Sequence, residues 1–438
     1  MLVLYLLYSI QIIPKYLMLV VAMSADGTVA VIGGGIVGRC CALMLQKQGI
    51  ATCILEREDA LTAPSWNNAG HIAVEQVTPL ASLAAMATAP QRLFMVGGAL
   101  DFALTAPGVM SWVWRYLQAS MPGRFRHGKQ ALKTLVNGAE TAWQQLLQQL
   151  DAADLYRDQG HWLLWESDSS VRKGMANWQH TDTGSVSLAE LPKALLATLP
   201  ALKVPLCGGI SFTGSGQIYD MPALASLLKA QFLAAGGEWL NADVASLALQ
   251  SGRAEVVLAN GKHCQFDQVL VCAGAASGKL LNAIHPHVPL IAERGYHLEV
   301  KCDDSTWPEH LPPLVFEDRS MIVTRFANTL RACSFVEFNA LDAKADPRKW
   351  QQLQRHCDEL GLPFSDDVSQ WMGARPTLPD YLPAIGKSDR ADNLYYAFGH
   401  QHLGLTLAAK TAMLVAEMVQ NQRTPSALQA FSLARFQR

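Results

Sequence analysis

The sequence has little charge and no strong excess of either sign. Asp, Glu, Lys and Arg make up 16% of the 438 residues, and the formal net charge is −2. Proteins that bind nucleic acid usually carry a marked basic excess, so no nucleic-acid partner is expected. Hydrophobic residues make up 50% of the chain, which excludes a largely disordered protein and provides material for large buried cores.

The cysteine patterns typical of disulfide frameworks and zinc sites are also absent. The nine cysteines are odd in number and include no Cys-x-x-Cys pair. Several lie inside apolar runs, such as Cys53 in ATCILE and Cys272 in VLVCAGA. Cysteines of this kind are small buried hydrophobes of a reducing compartment. We therefore expect no metal site, and we expect a cytoplasmic protein.

The apolar N-terminus lacks an unbroken run of membrane-spanning length. Pro14-Lys15 splits the stretch MLVLYLLYSIQIIPKYLMLVVAM, and neither piece approaches the roughly 20 residues that a span needs. No basic segment precedes it, as a secretory signal requires. We interpret residues 1–24 as an extension from an upstream start codon, with the working chain beginning near Met18 or Met23. The alternative is an anchor, which would give peripheral contact with the cytoplasmic membrane face.

The order of apolar patterns predicts a mixed α/β protein with two domains. A strand–helix–strand pattern begins at Thr28, and α/β patterns recur from Tyr219 and near the C-terminus. The stretch after Pro289 contains short alternating strands, which indicate an antiparallel sheet. We predict a Rossmann-like domain assembled from discontinuous segments and a substrate domain with an antiparallel sheet and helices. The expected boundaries are 25–85, 200–288 and 372–438 for the first domain, and 86–199 and 289–371 for the second.

The stretch VAVIGGGIVG has the spacing of a dinucleotide-binding loop. Gly33 permits the tight turn, Gly35 lets the backbone approach a pyrophosphate, and Gly38 lets helix and strand pack closely. The following helix N-terminus supplies unpaired N–H groups for the phosphates. Glu56, at the end of the second predicted strand, is suited to accept hydrogen bonds from ribose hydroxyls. The pattern does not distinguish NAD from FAD, and Arg57 leaves NADP open.

Two further stretches favour FAD. SWNNAGHIAV (residues 65–74) is polar and rich in small residues at a point where a plain NAD dehydrogenase would continue with a helix. WMGARPTLPDYLPAIG and AFGHQHLGLTLAA predict a second glycine-rich helix start at Gly404. A helix N-terminus there is suited to face the N1–C2=O region of a flavin, where negative charge builds up on reduction.

Together these motifs resemble those of the FAD-dependent amino-acid oxidoreductases of the D-amino-acid oxidase superfamily. The resemblance is carried by VIGGGIVG…LERE, NNAG, ERGYH (residues 293–297) and WMGARPTLPDYLPAIG…FGHQHLGLT, and it runs from about Ala25 to the C-terminus. Within the superfamily the pattern is similar to D-amino-acid dehydrogenase small subunits and glyphosate-oxidoreductase-like proteins. The resemblance implies that the Rossmann-like domain binds FAD.

The resemblance also implies positions for the cofactor contacts. The glycine loop and the acid that follows it hold the pyrophosphate and ribose, a strand backbone meets the adenine, the NNAGH segment lies along the flavin, and the GHQHLGLT turn covers its pyrimidine end. The expected cofactor-binding residues are Gly33, Gly35, Gly38, Glu56, Arg57, Asn68, Ala69, Gly70, His71, Val244, Leu403, Gly404 and Thr406.

Arg375 is the main candidate for binding the substrate. A carboxylate is matched by a planar, permanently charged guanidinium that donates two hydrogen bonds. In related glycine and D-amino-acid oxidases, an arginine in a comparable Arg-Pro context binds the substrate carboxylate, and the resemblance implies the same role here. The alternative is a structural salt bridge to Asp380 or to another acid.

The strand ERGYH and the turn GHQHLG supply the remaining catalytic candidates. Adjacent strand residues point to opposite faces, so at most one of Tyr296 and His297 lines the pocket, and we favour Tyr296. In the turn we favour His402 over His400. Gln401 replaces a glycine that is common in the family, and it would cost about 1 kcal/mol if the position requires a positive φ.

The function implied by the resemblance is FAD-dependent oxidation of the Cα–N bond of a small amino acid. The substrate is a D-amino acid or an N-substituted amino acid, which Arg375 anchors so that hydride passes from Cα to flavin N5 and the imine hydrolyses in water. The electrons then pass to a quinone, to dioxygen or to a partner protein. Two alternatives stay open: a non-catalytic FAD-binding, electron-transfer subunit of a larger dehydrogenase complex, and a pyridine-nucleotide oxidoreductase.

Overall fold

The computed structural model of the chain describes residues 28–58 and 60–437. The N-terminal extension expected at residues 1–24 therefore lies outside the described residues. Within them the strands form four sheets, of six, nine, three and three strands. In chain order the strands are β1 (Val29–Ile32), β2 (Thr52–Glu56), β3 (His71–Ile72), β4 (Leu100–Phe102), β5 (Tyr156–Arg157), β6 (His161–Trp165), β7 (Ser187–Glu190), β8 (Gly208–Thr213), β9 (Gly216–Ile218), β10 (Glu238–Asn241), β11 (Val244–Gln250), β12 (Arg253–Leu258), β13 (His263–Phe266), β14 (Gln268–Val271), β15 (Ile291–Lys301), β16 (Leu314–Phe316), β17 (Met321–Arg325), β18 (Thr329–Asn339), β19 (Ser369–Thr377), β20 (Ala384–Lys387) and β21 (Leu394–Phe398).

The α-helices lie between these strands and cover the sheets. In chain order they are α1 (Ile36–Lys47), α2 (Leu83–Thr88), α3 (Val109–Ala119), α4 (Pro122–Val136), α5 (Ala139–Gln149), α6 (Asp168–Gln179), α7 (Lys193–Leu196), α8 (Met221–Ala234), α9 (Ser277–Leu281), α10 (Pro347–Leu360) and α11 (Gly404–Gln420).

The six-stranded sheet has the order β10-β2-β1-β14-β21-β20, and all its neighbours are parallel except β20 and β21. The strands β1 and β21 are buried along their whole length, as their continuous apolar sequences require in a sheet covered on both faces. Helix α1 packs against α8 and α11 on one face, while the small sheet β11-β12-β13 contributes to the core on the other. Because these strands come from the start, middle and end of the chain, the Rossmann-like unit is discontinuous, as predicted.

The nine-stranded sheet has the order β19-β15-β18-β17-β16-β6-β8-β7, and β4 also pairs with β18. It is mainly antiparallel, and its longest strands, β15 and β18, have 11 residues each. The register of this pair shifts between Arg294 and Tyr296, where Phe335 of β18 adopts φ = +72°. This β-bulge turns the backbone of β18 next to Gly295. Helix α10 packs across β15 and β18 and forms a separate core with them.

A buried ionic network joins β15, β18 and α10. The fully buried Arg294 donates to Glu337 Oε2 (3.2 Å) and to the Tyr296 hydroxyl (2.9 Å), and Tyr296 donates to the same Glu337 oxygen (2.5 Å). Lys349 of α10 is also fully buried and pairs with Asp101 at 2.7 Å. The cations Arg294 and Lys349 thus compensate the charges of Glu337 and Asp101 in a largely buried place.

Helix α11 is the main helix of the Rossmann-like core. Together with the preceding turn it forms Gln401–Gln420, the one described helix that is long and apolar enough to cross a membrane by length and composition. Inside the protein 67% of its apolar window is buried. A helix buried to this extent inside the protein is typical of a core helix.

The ionic network yields a prediction about stability. Replacing Arg294→Leu removes one partner and leaves the Glu337 carboxylate undercompensated, so the free energy of unfolding should fall by about 3–5 kcal/mol. Urea unfolding followed by circular dichroism measures this change. Arg348→Ala is the matched control, because Arg348 pairs with Asp346 but its side chain is 70% exposed, and the loss should stay below about 1 kcal/mol. Equal losses in the two variants would contradict the assignment.

Candidate functional site

Two glycines where β1 meets α1 have no room for a side chain: Gly33 in the loop and Gly38 in the first turn of the helix. Gly33 has φ = +108°, and a Cβ there would lie 2.5 Å from the carbonyl oxygen of Cys272. A Cβ on Gly38 would lie 1.9 Å from the carbonyl oxygen of Gly33. The loop therefore packs directly onto the first turn of α1 and onto the end of β14, which brings the helix N-terminus close to the sheet.

The start of α1 presents backbone donors toward the end of β2. Gly35 is the N-cap and has no side chain to bond the first turn, while Ile36 N–H donates to Ser65 Oγ at 3.1 Å. Gly34 N–H donates to the carboxylate of Glu56. The positive end of the helix dipole suits a pyrophosphate, and the Glu56 carboxylate lies beside it as ribose binding requires.

The remaining residues predicted for the adenosine end lie near Glu56. The N–H of Ala242 donates to the carbonyl oxygen of Glu56 at 2.8 Å, and Val244 begins β11 two residues later. Arg57 follows Glu56 and is exposed. The structure thus brings Glu56, Arg57 and Val244 to one edge of the six-stranded sheet.

Sequence reasoning missed a buried arginine beneath this loop. The guanidinium of Arg39 lies 4.7 Å from the ring centre of Trp66 and 4.9 Å from that of Trp239. Its Nε donates to the carbonyl oxygen of Gly34 at 2.7 Å, and its Nη1 to that of Ala225 at 2.6 Å. Arg39 therefore braces the glycine loop from α1. The available signal was a basic residue directly after the last glycine, on a helix expected to be buried.

The segment 65–71 runs between α1 and the nine-stranded sheet. Asn68 shapes it by donating to the carbonyl oxygen of Ser65 and accepting from Gly70 N–H, both at 2.7 Å. The carbonyl oxygen of Asn68 accepts from Arg331 Nη1 at 2.5 Å. Ala69 and His71 continue the same segment, which ends in β3. The predicted flavin segment is thereby attached to β18, the strand that borders the Arg375 face.

The turn before α11 is compact and mostly buried. His400 points inward, where its Nε2 is 3.1 Å from Thr411 Oγ1, and burial lowers its pKa to about 3. Gln401 adopts φ = +51°, so the predicted positive φ is present, and its side-chain amide donates to the carbonyl oxygen of Tyr381. Leu403 N–H donates to the His400 carbonyl oxygen at 2.8 Å, and α11 begins at Gly404.

Two contacts join this turn to the segment after β3. Thr406 Oγ1 accepts from the N–H of Ala73 at 2.9 Å. His402 donates from Nε2 to Gln76 Oε1. Burial lowers the pKa of His402 to about 4, so its imidazole is neutral at physiological pH.

Arg375 lies on β19 directly opposite Glu293 of β15. Its Nη1 donates to Glu293 Oε1 at 3.0 Å and to the carbonyl oxygen of Phe335 at 3.3 Å, while its side chain keeps 26% exposure. The expected alternative partner, Asp380, instead pairs with Arg435 at 2.7 Å. Arg375 therefore has a structural acid as partner and still presents part of its guanidinium to solvent.

The neighbours Tyr296 and His297 lie on opposite faces of β15, as predicted, but the preference for Tyr296 has to be corrected. Tyr296 belongs to the ionic network under α10. His297 lies on the Arg375 face, stacked on Trp371 at 5.1 Å and donating from Nδ1 to the carbonyl oxygen of Asn67 at 3.1 Å. Burial and the charge of Arg331 lower the pKa of His297 to about 3, so it is neutral.

His71, Glu75 and His161 form a buried cluster, and their potential ligand atoms lie within 4.8 Å of one another. His71 Nε2 donates to Glu75 Oε1 at 3.1 Å, and the His161 ring stacks on Phe212 with centroids 4.2 Å apart. Burial opposes ionisation of Glu75, but the charge and hydrogen bond of His71 outweigh it and lower the pKa of Glu75. Burial lowers the pKa of His161 to about 3. The cluster is therefore a hydrogen-bonded His71–Glu75 pair beside the neutral imidazole of His161.

Comparison with known proteins identifies the family. A family profile described as "FAD dependent oxidoreductase" (DAO) matches residues 28–418. The chain therefore belongs to the DAO family of FAD-dependent oxidoreductases, which confirms the resemblance inferred from the motifs and the FAD cofactor.

Individual relatives cover nearly the whole chain. D-amino-acid oxidase of Bradyrhizobium diazoefficiens is 26% identical over 418 residues, which are 93% of this chain and 98% of the relative. D-amino acid dehydrogenase of Helicobacter pylori is 24% identical over 408 residues, 90% of this chain and 95% of the relative. The solved structure of glycine oxidase from Geobacillus kaustophilus shares the fold with a TM-score of 0.70 and 18% identity, covering 93% of this chain and 98% of that one.

The described residues fit both ends of FAD, the adenosine end and the flavin end. The close contact between Gly33 and Gly38 keeps the α1 N-terminus clear for a pyrophosphate, with the Glu56 carboxylate beside it. At the other end, the residues after β3 bond to His402 and Thr406 at the start of α11, and Asn67 of the segment 65–71 accepts from His297 on the Arg375 face. These residues would hold the cofactor between the two large sheets.

The glycine loop yields a prediction about cofactor retention. Gly38→Ala places a Cβ against the Gly33 carbonyl, and the displaced loop should retain FAD about tenfold less tightly. The ratio of flavin to protein absorbance after dialysis measures the loss. Gly128→Ala is the control, because its Cβ would meet Pro79 and Leu382 at ordinary distances of 3.7 and 3.8 Å. Full retention by Gly38→Ala would contradict the loop assignment.

The buried histidine His161 yields a prediction about pH. The unfolded chain protonates it below about pH 6.5, while the folded protein keeps it neutral down to about pH 3, so acidification favours unfolding. Between pH 6.5 and pH 3, His161 therefore lowers the free energy of unfolding by about 1.4 kcal/mol for each pH unit of acidification. His161→Phe, which keeps the ring on Phe212, should reduce this slope by that amount. Urea unfolding at pH 7 and pH 5 measures it, and an unchanged slope would contradict the assignment.

Proposed function

We propose that the protein oxidises the Cα–N bond of a small amino acid, either a D-amino acid or an N-substituted amino acid. The observation that carries the proposal is Arg375, whose guanidinium bonds protein acceptors through Nη1 alone. It lies on the face of β15 where His297 donates to Asn67 of the predicted flavin segment. The names of the relatives, D-amino-acid oxidase, D-amino acid dehydrogenase and glycine oxidase, support a small amino acid as the substrate class. The nine free cysteines support a cytoplasmic location.

The first task of the site is orientation. Nη1 of Arg375 is bonded to protein acceptors, so the rest of the guanidinium is available to bind a carboxylate with charge-assisted hydrogen bonds. An anchored carboxylate fixes the position of the adjacent Cα–H. Holding that bond toward the cofactor lowers the entropic part of the barrier.

The second task concerns protonation: the substrate amine has to be neutral when hydride leaves Cα. Bound FAD supplies the two-electron acceptor that takes hydride from Cα. Burial lowers the pKa of both His297 and His402, so both imidazoles are neutral at physiological pH and neither adds a charge to the site. The substrate binds with its amine deprotonated, and water hydrolyses the imine product to an oxo acid. Ammonia is released from a D-amino acid and an amine from an N-substituted one.

The proposal predicts the effect of removing Arg375. Arg375→Leu should weaken the apparent affinity for the amino acid about 100-fold, because a charge-assisted pair of hydrogen bonds is lost. Arg375→Lys should lie between Leu and the native residue, because it keeps the charge and loses the planar fork. Anaerobic titration with D-, L- and N-methyl amino acids, followed by bleaching of the flavin band, measures these affinities.

Two outcomes decide the proposal. Unchanged affinity in Arg375→Leu, with FAD still bound, would remove this residue as the anchor. Absence of bleaching across the whole panel would favour the alternative, an FAD-binding electron-transfer subunit without amino-acid chemistry of its own.

A further inference from the structure

A buried carboxylate lies beneath Arg375. Glu293 is 1% exposed, and its Oε1 accepts from Arg375 Nη1 at 3.0 Å. The other oxygen, Oε2, accepts from Thr377 Oγ1 and from the Tyr381 hydroxyl, each at 3.0 Å. A buried carboxylate needs donors of this kind. Because both hydroxyls hold Oε2, the carboxylate is fixed with Oε1 toward the guanidinium.

These contacts leave one edge of the guanidinium open. Nη1 has two hydrogens, and it donates to Glu293 and to the carbonyl oxygen of Phe335. Among the described residues, Nε and Nη2 of Arg375 have no hydrogen-bond partner. The Nε–Nη2 edge is the two-donor fork that matches a carboxylate in its plane.

The backbone beneath Arg375 fixes the plane of this fork. A Cβ on Gly295 would lie 2.3 Å from Arg375 Nη2 and 2.8 Å from its Cζ. The guanidinium therefore lies flat on β15 at a residue without a side chain. Gly295 of β15 pairs with Gly373 of β19, so neither strand carries a side chain at this position.

Three non-glycine residues with left-handed backbones are linked to the same arginine, directly or through Glu293. They are Phe335 (φ +72°), Tyr381 (φ +54°) and Gln401 (φ +51°). Phe335 gives its carbonyl to Arg375, Tyr381 gives its hydroxyl to Glu293, and Gln401 donates to the carbonyl oxygen of Tyr381. Backbone strain of this kind persists where the surrounding structure fixes it, and it concentrates at functional sites.

We propose that Glu293, Tyr381 and Gln401 are positioning residues that fix the Nε–Nη2 edge of Arg375 toward the substrate and join it to the turn that begins α11. The inference rests on the proposed function, since it takes the substrate carboxylate as the group that Arg375 binds. Loss of one donor to Oε2 lets the Glu293 carboxylate turn and pair more strongly with the guanidinium. The carboxylate of Glu293 then competes with that of the substrate.

The test is a double-mutant cycle between Tyr381→Phe and Arg375→Leu in the FAD-loaded protein. Calorimetric titration with propanoate, a carboxylate without an amine, should show roughly fivefold weaker binding in Tyr381→Phe. The kcat/KM for the amino acid should fall by a similar factor in the native background and stay unchanged by Tyr381→Phe in the Arg375→Leu background. Thr377→Val removes the other donor to Oε2 and should act in the same direction.

Tyr395→Phe is the matched control, because no described residue hydrogen-bonds the buried Tyr395 hydroxyl and its removal should change neither quantity. Equal effects of Tyr381→Phe in both backgrounds, or normal propanoate binding in both Tyr381→Phe and Thr377→Val, would overturn the inference. Normal propanoate binding in Arg375→Leu would instead overturn the proposed function, so the two failures are distinguishable.

Discussion

The ion pair between Glu293 and Arg375 constrains how β15, β19 and the turn before β20 pack together. An ionised carboxylate this deeply buried costs several kcal/mol unless a cation and further donors compensate it. Its donors come from β19, through Thr377, and from the turn before β20, through Tyr381. The pairing of β15 with β19 therefore has to be correct to the residue, because a displaced strand would leave the charge without partners.

The strand β15 carries two ionic networks on its two faces. Glu293 and His297 lie on the Arg375 face, whereas Arg294 and Tyr296 face α10. Since side chains alternate along a strand, a slip of one residue would exchange a structural network with the candidate site. The two networks thus specify the same register from opposite sides, and each excludes the pairing that would destroy the other.

Local patterns predicted the features that depend on neighbouring residues. The close contact at Gly33 and Gly38 and the position of Glu56 follow from the spacing of one strand–helix–strand unit. The alternation of Tyr296 and His297 was also predictable, but which of them faces Arg375 depends on the register between β15 and β19. Glu293 was missed because its partner is 82 residues away, and in the sequence it is an ordinary acid at the start of ERGYH.

Hydrogen bonds to backbone atoms connect the two ends of the candidate site. The glycine loop belongs to the six-stranded sheet, and Arg375 belongs to the nine-stranded one. The segment between β2 and β3 joins them, because its carbonyl oxygens accept from His297 and Arg331 of the second sheet. Backbone acceptors do not change with substitution, so this link tolerates variation in the side chains of the segment. The position of the glycine loop relative to Arg375 therefore depends in part on donors from β15 and β18, His297 and Arg331, which hold the backbone of this segment.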